Sequence, residues 1–217
     1  MRTHIKLMVT AVVAAGILVA AVGSATANRL SIDDRDVYVF WNDASQRLSF
    51  NAGGSAVACE VTLLGSFHSN TIRKINRLLV GTIEHVDVDE AGCTNGTADI
   101  NGTLPWVVSY EGFTGALPTI SRVRLLLSGP DFLIFNAAAN ARCITDPANQ
   151  NASGDVLLDT VTGVVDGLDA EETPSVLISD LPESALCDLI GSGRFNGTGS
   201  VLDEESAAGS PLVVRLI

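Results

Sequence analysis

The usual signatures of catalysis are missing from this chain. It has no G-x-S-x-G turn to present a serine, no H-E-x-x-H to hold zinc, and no phosphate-cradling loop of the P-loop or G-x-G-x-x-G kind. Histidine is scarce: beyond His4 only His68 and His85 occur, so any imidazole mechanism must use one of these two. Aromatic residues make up 5% of the 217 residues, too few for a core to spare many of them. No C-x-x-C pair occurs, which argues against a thiolate zinc site. Basic residues are also few, 13 against 25 acids, for a net charge of −12. A nucleic-acid partner needs a basic face, and an anionic membrane surface attracts one, so this balance excludes both as partners.

The residues that are present begin with an export pattern. Arg2 and Lys6 give a positive start, Leu7 to Val22 is almost wholly apolar, and Ala25-Thr26-Ala27 is a small-x-small cleavage site. These are the three parts of a secretory signal. The expected organisation is a signal peptide over 1–27 and one disulfide-bonded β domain over 28–217, secreted or held at the cell surface. Only retention of an uncleaved signal would place it in a membrane. Without Arg2 and Lys6 the chain keeps 11 bases against 25 acids, a net charge of −14, and Lys74 becomes its only lysine. That Arg-rich, acidic composition suits a GC-rich bacterial genome.

Four cysteines, Cys59, Cys93, Cys143 and Cys187, all follow the signal. In an oxidising compartment an even count reads as a disulfide framework. The favoured pairing is Cys59–Cys93 with Cys143–Cys187, because each pair closes a similar, moderate loop.

Most of the remaining sequence reads as strands. Val37 to Trp41 is β-branched and aromatic. Val57, Cys59, Val61 and Leu63 alternate with Ala58, Glu60 and Thr62, the period of a half-buried strand. Further strands are expected over 83–88, 100–110, 120–127, 132–135, 155–165, 176–178, 193–202 and 212–217, separated by Gly, Pro and Asn turns. The fold class is all-β, an antiparallel sandwich-like or barrel-like sheet. One segment differs. Ile72, Ile75, Leu78 and Leu79 fall at helical spacing, with Ser69 or Asn70 as a cap and Gly81 as a stop, which predicts one short helix over about 70–80 closing an end of the sheet.

Several groups are candidates for chemistry. Ser66 and His68 lie at the junction of strand and helix, and Arg73, Lys74 and Arg77 are the one dense basic group. Ser66, His68, Arg73 and Arg77 are therefore the candidate binding residues, for an anionic ligand or an acidic loop; no catalytic residue is assigned. His85 and Asp87 share a strand face but have no visible third metal ligand. Acidic groups at Asp33, Asp34 and Asp36, at Asp87, Asp89 and Glu90, and at Asp146, Asn149, Asn151 and Asp155 are candidates for calcium, although none has the spacing of a defined calcium loop. Otherwise no cofactor is implied. Trp106, Val108 and Tyr110 share a face that is core if buried and a sugar-stacking platform if exposed.

The stretches CEVTLLGSFHS (59–69), TIRKINRLL (71–79) and TLPWVVSYEGFTGALPTI (103–120), with Cys93-Thr94-Asn95-Gly96 between them, resemble an uncharacterised group of exported β-rich proteins of actinobacterial type. The likeness covers roughly residues 30–135. It implies export and a bacterial source; the group has no assigned activity, so no site residue follows from it.

The reading is a non-enzymatic structural or binding protein outside the cytoplasm, a component of the cell envelope among the options. One alternative is a β-barrel carrier of an apolar small molecule, marked by an internal cavity of several hundred Å3 on the order of known ligand sites. Another is a secreted hydrolase using His68. Mass spectrometry of the protein exported by its own host is expected to show a chain starting at Asn28 and lighter by four hydrogens than the reduced chain. A mass that still includes residues 1–27 would refute cleavage.

Overall fold

A computed structural model describes residues 29–42, 46–52, 55–116, 119–145, 150–170, 177–179, 194–203 and 210–217. The signal segment 1–27, Cys187, Asp146 and Asn149 lie outside these residues. The strands, in chain order, are β1 (Arg29–Ile32), β2 (Asp36–Trp41), β3 (Leu48–Ala52), β4 (Ser55–Phe67), β5 (Thr71–Arg73), β6 (Leu78–Thr94), β7 (Gly96–Ile100) and β8 (Trp106–Ala116). They continue as β9 (Thr119–Ser128), β10 (Phe132–Asn136), β11 (Ala141–Thr145), β12 (Asn151–Leu158), β13 (Val165–Ala170), β14 (Leu177–Ser179), β15 (Arg194–Asp203) and β16 (Val214–Leu216). Every pairing among them is antiparallel.

Eight positions pair in the order β13-β12-β9-β8-β6-β4-β2-β15, and β15 pairs back onto β13, so the sheet closes into a barrel. Strand β3 continues the course of β2 beside the same two neighbours, β4 and β15. The alternation in the sequence sets the two faces. Along β4, Val57, Cys59, Val61 and Leu63 are buried, while Ala58, Glu60, Thr62 and Leu64 are only partly so. In a barrel of about eight strands, inward side chains nearly fill the lumen or leave room for one small ligand.

The register sorts the connections to two ends. At one end meet the pairs Asp36↔Ser66, Leu78↔Tyr110, Ala116↔Thr119, Leu158↔Val165 and Val37↔Asp203. The segments entering β2, joining β4 to β6 and leaving β15 form the small sheet β16-β1-β5 there. At the other end, the segments after β6, between β9 and β12 and after β13 form the sheet β14-β11-β10-β7. Both caps hold mainly by burial. Leu30, Ile32 and Ile72 in one and Phe132 and Ile134 in the other are at most 5% exposed. Each such side chain contributes about 1.5–3 kcal/mol, more than one net backbone hydrogen bond at about 1 kcal/mol. Phe132 stacks edge-on against Phe50 (5.1 Å) and Trp106 (5.3 Å), joining its cap to the barrel core.

The helix expected over 70–80 is not formed. Thr71–Arg73 is β5, residues 74–77 turn, and β6 begins at Leu78. Arg77 takes a left-handed conformation (φ 64°), and its N–H bonds to the Tyr110 carbonyl at 2.6 Å. The apolar spacing is real but does not form one face: Ile72 and Val80 are buried, whereas Ile75 and Leu79 are 54% and 46% exposed. A helix of three turns is marginal alone, and pairing with β1, β4 and β8 gives this segment ladders and burial that a surface helix would lack. Two strand readings were also too long. The region 100–110 is interrupted between β7 and β8. The region 155–165 turns at Asp159, whose Oδ1 accepts bonds from the Val161 and Thr162 N–H groups and the Thr162 hydroxyl.

The expected Cys59–Cys93 disulfide is formed. It sits where β6 carries extra residues between Asp89, opposite Glu60, and Thr94, opposite Ala58. Cys143 is also disulfide-bonded, but the partner expected for it, Cys187, is outside the described residues.

Closure depends on close approach at β15. A Cβ on Gly199 would lie 2.6 Å from Trp41 Cε2 and 2.8 Å from its Nε1, so the buried indole would have to shift. Gly199→Ala is expected to cost about 1–3 kcal/mol by overpacking, read as a lower urea midpoint. Gly112→Ala, where a Cβ meets nothing within 4 Å, serves as the control and should change little.

Candidate functional site

The four residues singled out in the sequence do not converge. Ser66 Oγ donates to Glu84 Oε1 at 3.4 Å, and Ser66 is also one of the residues at the wall of the barrel cavity. Arg77 Nη2 pairs with Glu111 Oε1 at 3.2 Å. His68 and Arg73 do share a surface recess of about 390 Å3, beside Arg29, Thr71 and Leu79. His68 is exposed there. Its backbone N–H bonds to the Val80 carbonyl, but its ring has no hydroxyl or carboxylate partner among the described residues. The base of a hydrolase needs such a partner. Ser69 caps its own turn, accepting the Thr71 N–H at 3.2 Å.

The acidic groups serve turns. Asp33 Oδ1 accepts the Val213 and Asp34 N–H groups, Asp34 Oδ1 accepts that of Asp36, and Asp89 Oδ1 accepts that of Ala91. Among the described residues, no group of three or more His, Cys, Asp or Glu side chains is placed to hold a metal ion. Trp106, Val108 and Tyr110 are buried and belong to the core. Burial pushes the Tyr110 phenol above its ordinary pKa.

The feature with the shape of a site is inside the barrel. A cavity of about 150 Å3 lies between barrel walls and both caps, lined by apolar side chains such as Leu63, Val123 and Val201, with Ile32 from one cap and Phe132 from the other. No charged side chain lines it among the described residues. The hydroxyls of Thr82 and Ser153, two residues at its wall, are turned to Glu84 and Glu111. The cavity arises on the β12–β13 side, where the small residues Ala152, Gly154 and Ala170 line it. Leu125, Leu127 and Leu168 also line it and are only partly buried, because the residues facing them are too small to cover them. The sequence suggests a barrel carrier as one alternative but does not locate this cavity. The signal was present as small residues at alternate positions of one strand, Ala152 and Gly154, but which face was inward could not be known before the sheet was closed.

Trp41 and Trp106 both line the cavity. They are 2% and 1% exposed, and neither indole N–H has a hydrogen-bond acceptor among the described residues. Buried indole N–H groups usually find one.

The wall beside the cavity is fixed from outside. Asp155 on β12 is 5% exposed and accepts bonds from Arg124 Nε (3.0 Å) and Nη2 (3.2 Å) and from Arg122 Nη1 (3.3 Å), both on β9. The bond from Arg124 is the main cause holding the Asp155 carboxyl below its ordinary range; Arg122 adds to it and burial opposes it.

The Cys59–Cys93 disulfide points to an oxidising, non-cytoplasmic compartment. Among the described residues, no helix is long and apolar enough to cross a membrane.

Asp155→Asn is expected to destabilise the fold by about 1–2 kcal/mol at neutral pH, a value reduced because both arginines are half-exposed. A carboxyl held below its unfolded pKa of about 4 contributes fully above that pH and loses its contribution as pH falls through the lower folded value. The gap between wild type and Asp155→Asn in urea midpoints should therefore be widest near pH 7 and close in acid. An unchanging gap would refute the assignment.

No family model matches the chain, and neither do curated proteins or solved structures.

Proposed function

We propose that this protein is a non-enzymatic binding protein, exported from the cell, whose barrel carries a small apolar molecule. The observation that carries the reading is the cavity of about 150 Å3 between the barrel and both caps, lined mainly by apolar side chains and by no charged one among the described residues. It falls short of the several hundred Å3 expected of a drug-sized site, so the cargo must be small. An apolar cavity of about this volume in another fold holds benzene or xenon and excludes water, which sets the size class at a monocyclic or short-chain molecule.

Export fits the signal segment and the disulfide. A hydrolase is the weaker reading, because His68 has no catalytic partner among the described residues.

Thermal unfolding with a panel of one-ring and short-chain apolar compounds tests the proposal. A compound at a hundred times its Kd stabilises the folded state by about 2.7 kcal/mol, which raises Tm measurably. Ala152→Leu, which places three more carbons at the cavity wall, is expected to leave the fold intact and weaken binding at least about tenfold. The absence of any stabilising compound in the wild-type protein would overturn the carrier reading.

A further inference from the structure

We infer that the recess beside β5 is a second site, which holds a phosphate monoester between Arg29 and Arg73. It does not depend on what the lumen carries. Along β1 and β5, Leu30 and Ile72 are buried and line the cavity, while their exposed neighbours Arg29 and Arg73 line the recess of about 390 Å3. Ile72 is the one lining residue that the two spaces share.

Two observations point to an anion. Arg29 and Arg73 stand directly opposite each other in the β1–β5 register, where like charges repel and weaken a sheet. Neither guanidinium has an ion pair among the described residues, although the chain has 25 acids to 13 bases. By contrast, Arg47, Arg77, Arg122 and Arg124 each meet a carboxylate within 3.3 Å. No acidic side chain lines the recess among the described residues. Ile217 gives an oxygen to the Arg29 backbone N–H (3.3 Å) and no ion pair to its side chain. Both arginines and His68 are exposed, so a ligand in the recess meets them without any opening of the fold.

The charge sets the ligand class. A phosphate monoester carries close to two negative charges and three terminal oxygens, which two guanidiniums match with paired N–H groups. A monocarboxylate leaves one of the two cations unmatched. His68 lines the same recess, and an imidazole has an N–H to donate in either protonation state. Leu78 and Leu79 supply an apolar wall for the organic part of the ester, and Leu79 is 46% exposed.

Calorimetric titration with phenyl phosphate tests the site. Arg29→Gln and Arg73→Gln are each expected to weaken binding about five- to tenfold, and benzoate should bind the wild type about tenfold less tightly than phenyl phosphate. Lys74→Gln removes a charge from the adjoining turn but not from the recess, and should change affinity less than about twofold. Without ligand and at low salt, neither arginine variant should have a lower urea midpoint than wild type, because the opposed charges are relieved; a lower midpoint in both would overturn the repulsion on which the inference rests. Vesicles of phosphatidylcholine with and without phosphatidic acid, whose headgroup is the same monoester, separate a soluble ester from a lipid. The net charge of −12 opposes approach to such a surface, so the soluble ester is the expected ligand. Binding to phosphatidic acid vesicles alone, lost in the same two variants, would assign the site to a headgroup. Binding to neither source, or an equal loss in Lys74→Gln, would overturn the inference and leave the carrier reading intact.

Discussion

The molecule depends on one short seam. Three residue pairs, Leu168↔Gly199, Asp169↔Thr198 and Ala170↔Gly197, join β13 to β15 and turn a curved sheet into a closed barrel. Without that seam the inner faces of eight strands would meet water, and neither cap would have an apolar floor. The hydrogen bonds of the seam choose the register, but they do not supply most of the energy, since each is worth about 1 kcal/mol net and each inward Val, Leu or Ile about 1.5–3 kcal/mol. Two glycines make the register possible. A Cβ on Gly197 would stand 2.7 Å from the Arg47 carbonyl and one on Gly199 2.6 Å from the Trp41 ring, so β15 is thin where the chain between β2 and β3 and the largest inward side chain press on it.

Much of this was legible in the sequence because strands with one buried face have a period of two. The alternation along Val57 to Leu63 fixed which side of β4 faces the core before any partner was known. The Cys59–Cys93 pairing followed from spacing, and it holds because the two residues meet at an irregular place in the β4–β6 ladder. The helix over 70–80 failed for a reason that periodicity cannot reveal. Ile72, Ile75, Leu78 and Leu79 satisfy a spacing of three and four, yet cross-strand partners decide the outcome: β1 takes Ile72, and β4 and β8 take the residues from Leu78 onward. The turn at Asp159 was hidden among β-branched residues, Val161, Thr162 and Val164. Its local cues were Gly163, left-handed at φ 76°, and a carboxylate able to accept several N–H groups.

The candidate site was less legible than the fold, and the difference is physical. A surface cluster such as Ser66, His68, Arg73 and Arg77 looks like a site in sequence because its residues are near neighbours and reactive. Strand geometry then separates them: Ser66 turns to Glu84, Arg77 to Glu111, and His68 and Arg73 to a recess at the barrel end. A cavity is the reverse case. It is made by residues with little side chain, Ala152, Gly154 and Ala170, drawn from strands that only closure brings round to face Trp41 and Leu63. Missing volume leaves no motif.

Among the described residues, the ion pairs around Asp155 and the apolar cavity lie on opposite faces of the same barrel wall. Ion pairs such as Arg122 and Arg124 with Asp155 lie on the outer face, where water remains in reach of the arginines and the pairing costs little. Among the described residues that line the lumen there is no charged side chain. Phe in place of Trp would line a hydrocarbon site with no unpaired donor and none of the associated cost. A chain in which aromatic residues are 5% of the total nevertheless places both of its tryptophans on this wall. As packing, the arrangement leaves two buried indole donors unpaired among the described residues.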